Sequence, residues 1–200
     1  MAESGVVVLP LFRASIRNTN LAYQDNLARL NVAARLADQL DAPLVLAEGW
    51  KSNDLGDGNI VDGTDAACIL LKQMNLPQSA ALVPLHRSCC TWQELAEVHE
   101  RFPDRAMIVI TGAACPSVRR AQRVCRLQQL DAQVFSPLDA CVRYGIEPPP
   151  HAKPHRLQDG VQESINWIVH GLSCLERRWS DPLEFRLARR LRQGTSARTR

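Results

Sequence analysis

Residues 88–121 read SCCTWQELAEVHERFPDRAMIVITGAACPSVRRA, and this stretch decides the fold. Its centre, Ala106-Met107-Ile108-Val109-Ile110, is a short, continuous apolar run of the kind a strand buried on both faces requires. Helical spacing precedes it over residues 91–101 and follows it over residues 116–127. The first helix opens on Ser88-x-x-Thr91, and Arg119-Arg120-Ala121 falls early in the second. A strand that stops at Thr111-Gly112 between two helices with polar first turns is how an open α/β sheet builds a ligand crevice. Helix N-termini present unpaired N–H groups and partial positive charge there, so the expected guest is an anion.

The same grammar extends in both directions. Toward the N-terminus, residues 6–9 form a compact strand bounded by Pro10. Residues 20–40 carry Leu27, Leu30, Ala34 and Leu40 at helical spacing, with Ala33 and Leu36 widening the apolar face. Residues 43–47 read as the second strand and the polar residues 51–59, with Gly56 and Gly58, as a loop. A helix is predicted over 65–74, ending before Pro77, and the third strand over 80–85. Thr91, with Glu94 three residues on, is the expected N-cap of the next helix in a capping box. A fifth strand at 132–135 completes the pattern. Five strands alternating with helices predict a three-layer α/β sandwich around a mainly parallel sheet.

Beyond residue 137 the character changes. Pro148-Pro149-Pro150 and Pro154 read as an irregular or polyproline segment through residue 160. Helix is expected again over 161–175, and a final amphipathic helix over 182–191. The predicted organisation is an α/β domain over 1–175 and a basic C-terminal tail over 176–200. That tail holds eight arginines against Glu176, Asp181 and Glu184, whereas the whole chain carries only +3.

Composition bounds the function. A 200-residue chain, 46% hydrophobic and 22% charged, has the size and balance of one soluble globular domain with its own core. No apolar run approaches the ~20 residues of a membrane span, and Met1-Ala2-Glu3-Ser4 opens without a basic n-region, so a cytoplasmic location is expected. Seven cysteines, an odd number with no C-x-x-C pair, argue against a disulfide framework and a zinc ribbon. No G-x-G-x-x-G follows the first strand, which argues against a dinucleotide enzyme.

The order of landmarks resembles the YdcF/SanA/ElyC-like family of Rossmann-like proteins. Arg29-Leu30 with Ala33 and Leu36, Asp65-Ala66 with Leu76-Pro77, Ser88-x-x-Thr91, and Thr111 followed by Arg120-Ala121 are similar to that family's spaced elements. The chain departs from them where Leu9-Pro10-Leu11 and Ala47-Glu48-Gly49 replace glycine-rich strand ends, and where Cys90 and Ser117 replace an Asn and a His. The resemblance implies a Rossmann-like fold with a crevice at the strand ends. It implies no particular reaction, cofactor or metal.

The anion is expected to be held by Ser88, Thr91, Thr111, Gly112 and Arg120, with Glu48, Gly49 and Asp65 on the rim; plain helix capping is the alternative role for Ser88 and Thr91. The ligand is a small anion, nucleotide-like or phosphate-containing. Glu48 and Asp65 form a conceivable carboxylate pair, and His86, after the third strand, a general acid or base without an Asp partner evident in sequence. Cys115 at a helix start is the one nucleophile candidate, and His151 and His155 flank Pro154 too closely for a regular helical metal site. A competing reading makes the chain a non-catalytic adaptor, contacting a protein partner through the tail and proline segment. The arginines also suit nucleic acid or an anionic membrane surface.

Overall fold

The computed structural model describes residues 5–11, 21–49, 51–54, 60–74, 76, 80–88, 90–112 and 115–150. All of them lie in one compact unit, Met1–His155. The expected helices over 161–175 and 182–191 and the basic tail fall outside the described residues.

Five strands, β1 (Val6–Pro10), β2 (Leu44–Leu46), β5 (Leu82–Pro84), β6 (Ala106–Ile110) and β7 (Ala132–Phe135), form one sheet in the order β5-β2-β1-β6-β7. Every pairing in it is parallel. β1 and β6 run in register from Val6 opposite Ala106 to Pro10 opposite Ile110. Both are buried from their second residue onward, which is why each reads as an unbroken apolar run rather than an alternation.

The two-residue period of the strands sorts side chains between two cores. Val8, Leu44, Leu46, Ile108 and Ile110 pack with Leu30, Ala33 and Leu36 of α1 (Leu21–Gln39), Leu70 of α2 (Gly63–Gln73) and Cys141 of α5 (Pro137–Tyr144). Val7, Leu9, Val45, Met107 and Val109 pack on the opposite face with Leu95 and Val98 of α3 (Thr91–Arg101) and Val124 of α4 (Cys115–Leu127). The result is a three-layer, Rossmann-like α/β/α sandwich.

Three expectations are corrected. Residues 51–59 are not simply a loop: β3 (Lys51–Asp54) and β4 (Ile60–Asp62) pair as a separate antiparallel ribbon. A ribbon outside the sheet has little to bury, and Ile60 is indeed 59% exposed, so it needs no apolar run to announce it. Residues 137–144 are helical, not irregular. Ser136 caps α5 by accepting from the Asp139 amide, Pro137 occupies the first turn, and Gly145 ends the helix at φ 67°. The irregular segment therefore begins after α5, eight residues later than the expected start at residue 137. Finally, Thr91 is not the N-cap of α3. Cys90 occupies that position in extended conformation with no side-chain cap, and Thr91 is the first helical residue, 7% exposed.

Candidate functional site

In a doubly wound sheet the helices flanking the first-laid strand depart to opposite faces, and the gap between them is where ligands enter. Here the order reverses between β1 and β6. Beyond these strands, Leu11 N–H donates to the Ile110 carbonyl at 2.8 Å and Thr111 N–H to the Phe135 carbonyl at 3.0 Å. Arg29, only 3% exposed on α1, pairs with Asp25 one turn earlier and donates through Nη1 to the Leu11 carbonyl at 2.5 Å. A Cβ on Gly112 would lie 2.7 Å from Arg29 Nη2 and 3.0 Å from Ser117 Oγ. Glycine is required there because the strand exit passes against a buried guanidinium. Thr111 and Gly112 therefore stand at the exit of β6, beside the reversal of strand order, with α4 starting just beyond. Arg120 is half-buried on α4 and makes intramolecular interactions of its own.

The other predicted residues gather at the neighbouring exits of β2 and β5. Gly49 N–H donates to the Ser88 carbonyl at 2.6 Å, and the Ser88 hydroxyl donates to the Ala47 carbonyl. Ser88 is 1% exposed, so its hydroxyl proton is committed inward, fastening two strand exits. Thr64 continues the fastening: its N–H donates to the Glu48 carbonyl at 2.8 Å, and its hydroxyl accepts from Glu48 N–H at 2.9 Å and donates to the Leu85 carbonyl at 2.7 Å. Glu48 is 2% exposed, its side chain against Gly63, where a Cβ would fall 2.0 Å from Glu48 Cγ. Glu48 and Ser88 thus belong to the framework of the edge, and Gly49 to the backbone beneath His86.

His86 does have a carboxylate partner. Its Nδ1 stands 2.8 Å from Asp62 Oδ2. Asp62 is the N-cap of α2, its Oδ1 accepting from the Asp65 amide at 2.8 Å. The Asp62 side chain is 7% exposed and that of His86 46%, so a buried acid holds one nitrogen of an accessible ring. Asp65 is exposed, and one donor atom from each of Asp62, Asp65 and His86 lies within 4.8 Å of the others, a spacing that a divalent cation could bridge. Sequence reasoning missed Asp62 because the pair is 24 residues apart. The signal was present in Asp62-Gly63-Thr64-Asp65, an acidic cap with a second acid at the third helical position.

Two other features carry no chemistry of this kind. A shallow hollow of about 580 Å³ beside α3 is lined by Arg87, Ser88, Gln93, Glu97, His99 and Glu100 among others, and its one arginine is tied to Glu97 at 3.3 Å and Glu100 at 2.5 Å. Burial pushes the thiols of Cys68 and Cys141 up and that of Cys125 up to about 11, the reverse of what a nucleophile needs. The side chain of Cys115 is outside the described residues, as are His151 and His155.

Compared with known proteins, the chain matches no family model, no curated protein and no solved structure. No helix among the described residues is long and apolar enough to cross a membrane.

Proposed function

We propose that the protein binds a small anionic ligand, nucleotide-like or phosphate-containing, at the carboxyl edge of its sheet, as a divergent YdcF-like protein of the cytoplasm. The observation that carries this reading is the reversal of strand order between β1 and β6, with Thr111 and Gly112 leading into the N-terminus of α4 at that point. The helix end supplies N–H donors and positive potential, and Gly112 seats the strand exit against the buried Arg29. Arg119 and Arg120, in the second turn of α4, are the cations nearest in sequence to that end, and Arg120 is the half-buried one of the two. The contribution of Ser88 is to hold the edge in shape. Thr91, buried at the start of α3, lies on the neighbouring helix end.

Thermal unfolding against inorganic phosphate, AMP, ATP and sugar phosphates tests this reading. A ligand that binds only the folded chain raises the midpoint in a concentration-dependent way, by about 2.7 kcal/mol of stabilisation at one hundred times its Kd. The expected result is a rise for at least one phosphate compound that Gly112→Ala and Arg120→Ala each reduce. A midpoint indifferent to all of them in a cooperatively folding protein refutes it.

A further inference from the structure

The Asp62–His86 pair is not used by an anion crevice between β1 and β6, and it joins an accessible imidazole to the buried carboxylate that caps α2. A carboxylate only accepts, so the proton between the two belongs to His86 Nδ1. Both Asp62 oxygens are engaged, Oδ1 by the Asp65 amide and Oδ2 by the ring, which fixes the carboxylate and, through it, the imidazole. Behind the ring, the backbone is held on three sides. Leu85 O accepts from Thr64, Gly49 packs against the His86 carbonyl so closely that a Cβ would fall 1.9 Å from it, and Ser88 O accepts from Gly49 N–H. Nε2 is left as the ring's remaining proton site on a side chain 46% exposed. A buried acid that orients a histidine so that one nitrogen is spent and the other is offered is the arrangement of a proton-transfer dyad.

We infer that His86 is the general base for hydrolysis of a phosphoric anhydride, with Asp62 as its positioning residue. This rests on the anion-binding reading above, which supplies the anchored end of the substrate. β5 lies three strands from β6, whose exit carries Thr111 and Gly112, so at about 4.8 Å per strand the exit of β5 stands about 14 Å along the edge from them. The substrate is therefore elongated, anchored by one phosphate and presenting an anhydride bond about 14 Å away, the reach of a nucleoside polyphosphate. In the step itself, a water proton passes to Nε2 as the water oxygen bonds to phosphorus. The bridging P–O bond breaks, and the proton on Nε2 is returned to the departing oxygen. No side-chain nucleophile is involved, in keeping with the inward-turned Ser88 hydroxyl.

The test uses the full chain with ATP and with diadenosine tetraphosphate in the presence of Mg²⁺, products being separated by anion-exchange chromatography. Binding is followed on the same samples by thermal unfolding. His86→Ala is expected to lower kcat at least 100-fold with little change in KM. Asp62→Asn keeps an oxygen to cap α2 but no longer holds Nδ1 by charge, so kcat falls about tenfold or more and the pH profile of kcat changes while the fold remains. Asp65→Asn decides between proton transfer and a shared cation, because its carboxylate lies within 4.8 Å of the dyad's donor atoms. Glu147→Gln, at an exposed position beyond α5, is the control and leaves the rate within about twofold. Ligand-induced stabilisation without hydrolysis, or hydrolysis indifferent to His86→Ala, overturns the dyad and leaves the binding site standing. Neither stabilisation nor hydrolysis overturns both. A loss in Asp65→Asn equal to that in His86→Ala assigns the three side chains to a cation and overturns the proton-transfer role.

Discussion

Gly49 and the His86 carbonyl approach so closely that a Cβ on the glycine would lie 1.9 Å from the carbonyl oxygen and 2.4 Å from its carbon. Contact with backbone differs from contact with a flexible side chain, because the exits of β2 and β5 would have to separate to make room. Separation would break the Gly49–Ser88 bond and strain the Thr64 bridge that spans the same exits. The close approach is thus the hinge on which the edge geometry turns.

Gly49→Ala is accordingly expected to destabilise the chain by about 3 kcal/mol, the upper range for overpacking a site that cannot yield. Gly5→Ala is the control: a Cβ there meets nothing within 4 Å, and the change is expected to stay within about 0.5 kcal/mol. Urea denaturation monitored by far-ultraviolet circular dichroism measures both. Equal midpoints for the two variants would show that the β2 and β5 exits are not packed as described.

How far the chain could be read without coordinates follows from which forces left a mark on neighbouring residues. The five strands of the sheet leave apolar runs because both faces are covered, and the amphipathic helices leave a 3.6-residue period. The β3–β4 ribbon leaves neither, since its pairing is backbone to backbone and Ile60 at its edge is exposed. Thr111 and Gly112 were legible as the exit of a central strand because the apolar run of Ala106–Ile110 stops at them. Ser88 was legible in place but not in role: hydroxyls that cap a helix, bind a guest or fasten a loop share one sequence signature, and only the Ala47 carbonyl decides among them. The Asp62–His86 pair depends on β5 lying beside β2, a neighbourhood that strand order creates and local spacing does not encode.

Arg29 and Asp25 form an ion pair of which each member is about 4% exposed, and the guanidinium also holds Leu11 beside Gly112. Removing one partner leaves a charge buried without its complement, so Asp25→Asn or Arg29→Met alone is expected to cost about 3–5 kcal/mol. Replacing both together is expected to recover a substantial part of that loss, because neither charge then remains to be desolvated. A double-mutant cycle by denaturant unfolding measures the coupling. Additive single-variant losses would mean that the pair does not act as a unit, and that Leu11 and Gly112 are held by other contacts.

Cys125 supplies a pH dependence whose sign follows from burial. It lies in the core between α4 and the sheet, 3% exposed, and burial raises its thiol from 9.0 to about 11. An acid whose folded pKa is raised keeps its proton in the folded chain while the unfolded chain has already lost it. Its contribution to stability is therefore complete below pH 9 and declines as pH rises from 9 toward 11. Cys125→Ala removes this dependence at the cost of a small cavity, so the variant is expected to be less stable at pH 7 and to lose less stability than the parent between pH 9 and 11. Unfolding midpoints measured across that range give the two slopes directly. Parallel slopes would place the thiol in contact with solvent, and rapid modification of the native chain by a thiol reagent at pH 8 would say the same.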